Sequence, residues 1–206
     1  MELRDPLSGC SDEELLTRFS KGQKEAFGVL VRRYERELYG YLRRYLGDSS
    51  LADDVFQNTF LQIHLKRGLY EDGRPFRPWL YAIGTHQAVD ALRKAGRHPT
   101  MSLDQRVTPN QRESEAGSLL DLLVNEANGP LAELQEQERR QWVRDSIERL
   151  PDSLRQTLIL AYHQDLKYRE IAEILKIPVG TVKSRLHAAL SKLQDMARSA
   201  NRDGKE

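Results

Sequence analysis

The chain has 206 residues, enough for one large domain or two small ones, with 31% charged residues, 7% aromatics and a net charge of +1. That near balance argues against blanket coating of nucleic acid, so any such contact must come from local patches. No apolar run approaches the roughly 20 residues that span a bilayer and no signal-peptide pattern opens the chain, which excludes a membrane protein and fits the cytoplasm.

The first helix is marked by Ser11 with Glu14 three residues on, a capping-box pattern. A long helix follows, with Ala26, Phe27, Leu30, Val31, Tyr34, Leu38, Tyr41, Leu42 and Tyr45 on one face and Gly47 as its stop. Ser49 or Ser50 can cap a third helix, whose stripe is Ala52, Val55, Phe56, Thr59, Phe60 and Ile63. Gly68 to Pro75 reads as a loop. A fourth helix starts near Pro78, runs through Trp79, Leu80, Ile83, Val89 and Leu92, and ends before Pro99. From Arg97 to Gly129 periodicity gives way to Ser, Asn, Gln, Gly, Pro and acidic residues, with at most a short helical turn over Leu119 to Val124. A helix resumes near Leu131 and Pro151 opens another. No useful strand alternation is present, so the chain reads as all-α: two small helical domains, residues 11–97 and 131–200, joined by a flexible linker over 98–130. Each is near the lower size limit for a self-sufficient core. A tether of this kind lets both domains dock on one large partner.

The last domain carries the strongest signal. Tyr168, Ile171, Ala172 and Leu175 make one helical stripe. Lys176-Ile177-Pro178 breaks it, because proline cannot donate to a continuing helix and biases its predecessor away from helical angles. Val179, Val182, Leu186, Leu190 and Leu193 make a second stripe. The opposite face carries Thr181, Lys183, Ser184, Arg185, His187, Ser191 and Lys192. Lys167, Arg169, Lys176, Lys183, Arg185 and Lys192 outweigh Glu170 and Glu173, so the segment is basic within a neutral chain. It reads as a helix-turn-helix whose second helix fits the major groove. An ordinary helical hairpin with a solvated face is the alternative.

A second patch interleaves Phe76, Trp79, Tyr81 and His86 with Arg74, Arg77, Arg93, Lys94 and Arg97. Rings among cations suit single-stranded nucleic acid, where bases stack and charges follow the backbone. Trp79 and Leu80 also lie on the apolar stripe, which favours a core role for both. Enzymatic chemistry finds little support. Asp53 and His64 share a helix but are eleven residues apart, about 16 Å along its axis, too far for a hydrogen bond. No Cys or His pair has metal-ligand spacing, so neither metal nor cofactor is expected. The lone Cys10 permits no internal disulfide.

Four stretches in order resemble the extracytoplasmic-function sigma factors of bacterial RNA polymerase. These are Asp12-Glu13-Glu14-Leu15-Leu16 leading to Lys21 through Phe27; Ala52 through Phe60; Phe76-Arg77-Pro78-Trp79-Leu80-Tyr81 through Asp90-Ala91-Leu92-Arg93-Lys94; and Leu150-Pro151 with Pro178 through Leu186. The resemblance implies that a face carrying Asp53, Asp54, Gln57 and Leu61 binds the clamp of the polymerase largest subunit, with the flap of the second largest as a further contact. It implies that Arg74, Phe76, Arg77, Tyr81, His86, Arg93 and Lys94 recognise and open the minus-ten promoter element. Lys183, Ser184 and His187 would read the minus-thirty-five element, with Thr181, Arg185 and Lys192 also on the DNA. Asn58, Ala82, Thr85, His86 and Ala188 depart from residues frequent in that family. The implied partners are core polymerase, promoter DNA and an anti-sigma factor, for a monomeric, non-enzymatic protein without a membrane role. The family's large inhibitory N-terminal extension is not expected. A stand-alone regulator would explain the helix-turn-helix but leaves the aromatic-basic patch without a role.

Overall fold

A computed structural model describes residues 7–71, 73–96, 138, 141–162, 164 and 166–203. Every regular element among them is helical: α1 (Asp12–Ser20), α2 (Lys24–Leu46), α3 (Ser49–Lys66), a 3-10 turn (Arg67–Leu69), α4 (Phe76–Lys94), α5 (Asp152–Tyr162), α6 (Tyr168–Leu175) and α7 (Val179–Asp203). Residues 141–148 are helical as well. The fold is all-α, as the periodicity predicts. The predicted linker, the turn over Leu119 to Val124 and the helix start near Leu131 fall outside the described residues. Two compact units result: one joins α1 to α4 with residues 159–177, and the other takes residues 103–158 together with α7.

Helix ends follow local chemistry. Ser11 and Glu14 form the predicted box: the Glu14 N–H donates to Ser11 Oγ at 3.1 Å and the Ser11 N–H to Glu14 Oε2 at 2.9 Å. Gly47 closes α2 in the left-handed region (φ 68°), its N–H donating to the Arg43 carbonyl at 3.0 Å. The α3 cap is Asp48, not Ser49 or Ser50: its carboxylate accepts from the Ser50 and Leu51 N–H groups at 2.9 and 3.1 Å. A carboxylate there also faces the positive end of the helix dipole, an advantage no serine has. α4 starts at Phe76 rather than Pro78. Pro78 then sits in the first turn, where its missing N–H would have had no intrahelical partner anyway.

In the first unit, Leu30, Leu38, Leu42, Tyr41, Ile63 and Leu80 have no solvent exposure. At Gly84 a Cβ would lie 3.3 Å from Leu38 Cδ1 and 3.6 Å from Thr59 Cγ2, so α4 approaches α2 and α3 closely at a residue without a side chain. One residue on, Thr85 Oγ1 and the Tyr41 hydroxyl share a hydrogen bond of 2.7 Å, which fixes the rotation of α4 about its axis.

Lys176 ends α6 in the left-handed region (φ 54°), where glycine is the usual choice. Pro178 then begins the next helix locally, its carbonyl accepting from the Thr181 and Val182 N–H groups. Val182, Leu186, Leu190 and Leu193 are buried as the second stripe predicts. Val179 is a correction: it lies in the first turn of α7 and remains 37% exposed.

Candidate functional site

The outer face of α3 is the first candidate surface. Ala52, Val55, Thr59, Phe60 and Ile63 point inward, while Asp53, Asp54, Gln57, Asn58, Leu61, His64 and Leu65 are exposed. Leu61, Leu65 and Leu69 are 52%, 63% and 78% exposed. The first two stand one turn apart and the third follows in the 3-10 turn, so apolar surface lies beside carboxylates where no described residue of the unit covers it. Large apolar side chains aligned in this way mark an interaction surface more often than chance exposure. His64 packs against the rings of Phe19 and Phe27, with centroids 5.2 and 5.7 Å away.

The second surface is built on α4. The predicted minus-ten residues do not share one environment. Arg74, His86, Arg93 and Lys94 are exposed, and Arg77 is half-buried. Phe76 and Tyr81 correct the expectation, because both are fully buried and support α4 rather than offer a surface to DNA. The Arg77 guanidinium is held by Glu37, with Nε donating to Oε1 at 3.1 Å, and also donates to the Gln164 carbonyl at 2.7 Å. Tyr81 donates to Glu37 at 2.8 Å and pairs with the Gln164 side-chain oxygen. Burial first, and then the Glu37 charge, push the Tyr81 hydroxyl far above the ordinary phenol range, so it stays protonated and donating. Burial opposes the charge on Arg77, but Glu37 more than compensates and raises its pKa. Arg74 lies 3.9 Å from Glu173, and Arg93 lies 3.7 Å from Asp90 in the last turn.

His86 is shifted below the ordinary imidazole range. Burial is the main cause, with the charges of Lys176 and Lys66 outweighing the opposite pull of Asp90. The neutral imidazole, with one donor and one acceptor, is thereby favoured over the charged form. Trp79 is half-buried against Tyr70 and Phe76, with ring centroids at 5.1 and 6.1 Å. Its core role holds only in part.

The third surface is α7. Lys183, His187 and Lys192 are exposed; Thr181, Ser184 and Arg185 are half-buried. Lys183 and His187 stand one turn apart on a common face. Ser184 donates to the Thr181 carbonyl at 3.1 Å, so its hydroxyl proton is already committed and its oxygen is left to accept. Burial lowers the pKa of Arg185.

Sequence reasoning missed Leu65 and Leu69, although both are apolar residues off the α3 stripe at near-turn spacing from Leu61. It also missed Glu37 and Gln164, whose partners on α4 are distant in sequence and leave no local signal. Among the described residues, no group of three or more His, Cys, Asp or Glu side chains could hold a metal ion. No described helix is long and apolar enough to cross a membrane.

The chain matches two family models, Sigma-70 region 2 over residues 30–98 and Sigma-70, region 4 over residues 140–193. It is 32% identical over 178 residues to the RNA polymerase sigma-H factor of Pseudomonas aeruginosa, covering 86% of this chain and 89% of that protein. It is 31% identical over 183 residues to the ECF RNA polymerase sigma factor SigW of Bacillus subtilis, covering 89% and 95%. Against the ECF RNA polymerase sigma-E factor of Escherichia coli K12 the identity is 34% over 179 residues, covering 87% and 90%. Two solved structures share the fold. CnrH in complex with the cytosolic domain of CnrY has a TM-score of 0.64 and 23% identity, covering 91% of this chain and 97% of that one. RpoE in complex with the anti-sigma factor NepR from Bartonella quintana has a TM-score of 0.59 and 20% identity, covering 84% and 96%. With both sigma-70 regions present in order and relatives matched along nearly their whole length, the chain belongs to the extracytoplasmic-function sigma factors of bacterial RNA polymerase.

Proposed function

We propose that this sigma factor docks on core polymerase through the outer face of α3, opens the minus-ten element with α4 and reads the minus-thirty-five element with α7. The observation that carries this reading is the mixed face of α3, where Leu61, Leu65 and Leu69 stand exposed beside Asp53, Asp54 and Gln57. Apolar anchors with charged neighbours are the composition of a protein-binding patch, and the clamp of the polymerase largest subunit is its partner. Residues 11–97 form the minus-ten and clamp domain, 98–130 the tether, and 131–200 the domain on the minus-thirty-five element and the polymerase flap. Work is done by binding, not catalysis: flipped minus-ten bases are captured beside α4, which offsets unstacking costs of a few kcal/mol per step. Arg74, His86, Arg93 and Lys94 supply the exposed polar groups. Lys183 and His187 reach base edges while Thr181, Arg185 and Lys192 meet phosphates. The protein acts as a cytoplasmic monomer until core polymerase takes it up. An anti-sigma factor is a further partner, a reading supported by the sigma–anti-sigma pairing named in the RpoE–NepR complex, and the exposed α3 face is the surface it would cover.

Run-off transcription with purified core polymerase on a promoter library tests this reading. Transcripts that appear only when the protein is added, sharing two upstream elements, are the expected result. Tight binding of duplex DNA by a dimer of the protein alone, with no added transcripts, would establish a stand-alone regulator instead.

A further inference from the structure

α4 has an unusual beginning. Its first backbone N–H groups have no partner within the helix, and Pro75, at the cap position, supplies no side-chain acceptor. The Phe76 N–H instead donates to Glu13 Oε1 at 2.9 Å, across 63 residues of sequence. A carboxylate at that end also meets the positive pole of the helix dipole.

Glu13 is itself held in place. Its neighbour Asp12 accepts from the Arg33 guanidinium through one oxygen and from the Tyr34 hydroxyl through the other. Arg33 donates further to the carbonyls of Ser8 and Cys10, at 3.3 and 3.1 Å, which straps the segment before α1 onto α2. The Tyr34 ring lies 5.5 Å from that of Phe76. One residue of α2 thus touches both α1 and the first residue of α4. The loop before α4 is tied to the same turn, since the Tyr70 ring packs at a tilt against Trp79 and its hydroxyl donates to the Arg74 carbonyl.

We propose that Glu13 is a positioning residue for promoter opening, acting as a long-range cap that sets where α4 begins and so where its DNA-facing residues stand. This rests on the assignment of α4 to the minus-ten element. Without the cap the first turn frays, Trp79 loses its fixed place against Tyr70, and Arg74 is no longer presented at a set height above the helix. Glu13 acts through the backbone of Phe76 and needs no contact with DNA.

The test uses the full chain with core polymerase and three proteins: wild type, Glu13→Ala and Glu13→Gln. Opening is read as permanganate reactivity of minus-ten thymines on a duplex promoter, and base capture as holoenzyme affinity for a promoter already unpaired across that element. Loss of a helix cap predicts about a fivefold drop in opening by Glu13→Ala on the duplex. Core binding should stay within about twofold of wild type, whereas affinity for the pre-opened template should fall along with opening, because bases on both templates are captured beside α4. Glu13→Gln retains an acceptor oxygen and should keep most of the activity. Wild-type opening by Glu13→Ala overturns the proposal. Equal losses in core binding and on both templates would reduce Glu13 to general fold support and overturn it too. If the wild-type holoenzyme itself opens no minus-ten element, the assignment of α4 fails and the proposal falls with it.

Discussion

Replacing Leu61 and Leu65 together with alanine should weaken core polymerase binding more than it weakens the fold of the free protein. Burying a leucine completely is worth about 1.5–3 kcal/mol. With 52% and 63% of these residues still open to water, a partner can add about 0.8–1.6 and 0.9–1.9 kcal/mol respectively. Alanine keeps part of each, so the double variant should lose about 1.5–2.5 kcal/mol of binding, roughly 10- to 70-fold in affinity. Folding stability should fall by about 1 kcal/mol, because the two leucines are already partly covered in the free chain while alanine is at least as good a helix former. Equilibrium competition with wild type for core polymerase measures the first quantity, and chemical denaturation of the free chain the second. Unchanged affinity would refute the placement of the clamp on this face. Lost affinity together with a large loss of stability would show instead that the leucines hold the fold.

Four further outcomes are expected. Ile63→Ala, at a position with no exposure, should cost about 2–5 kcal/mol in denaturant unfolding. Gly47→Ala should cost about 1–2 kcal/mol through the backbone alone, since a Cβ there meets no atom within 4 Å while φ is 68°; no loss would mean that α2 ends by another route. His86 should titrate below the ordinary value of about 6.5, read from its ring signals by NMR. Because the folded state disfavours its charged form, stability should decline as pH falls from that value towards the folded pKa and level off below it, and His86→Gln should abolish this segment of the profile. Lys183→Ala should weaken binding to a promoter that requires the upstream element by about 1–3 kcal/mol, measured as holoenzyme affinity; unchanged affinity would remove Lys183 from the reading face.

Local signals were legible where the physics is local. The Ser11–Glu14 box, the Gly47 stop and the buried stripe of α3 depend on residues within a few positions of one another, and each stands where the pattern puts it except Phe56, which is only half-buried. The α3 cap was ambiguous because Asp48, Ser49 and Ser50 are all competent and only the folded backbone chooses. The start of α4 was misplaced by two residues because its cap comes from α1, which no window around Pro78 contains. Tyr81 looked like a stacking platform because its neighbours are cationic, yet Glu37 and Gln164 claim its hydroxyl from elsewhere in the chain. Leu65 and Leu69, by contrast, were readable, being apolar residues outside a stripe already drawn.

The packing of Trp79 has a practical consequence. The chain holds two tryptophans, Trp79 in α4 and Trp142 among the helical residues 141–148, one inside each matched sigma region. Fluorotryptophan incorporated during expression therefore gives two fluorine resonances and no more, in a complex whose unlabelled polymerase is silent. Ring currents from Tyr70 and Phe76 set the environment of one of them. Its shift follows α4, the segment proposed to capture bases, while the Trp142 signal serves as an internal reference on the same molecule.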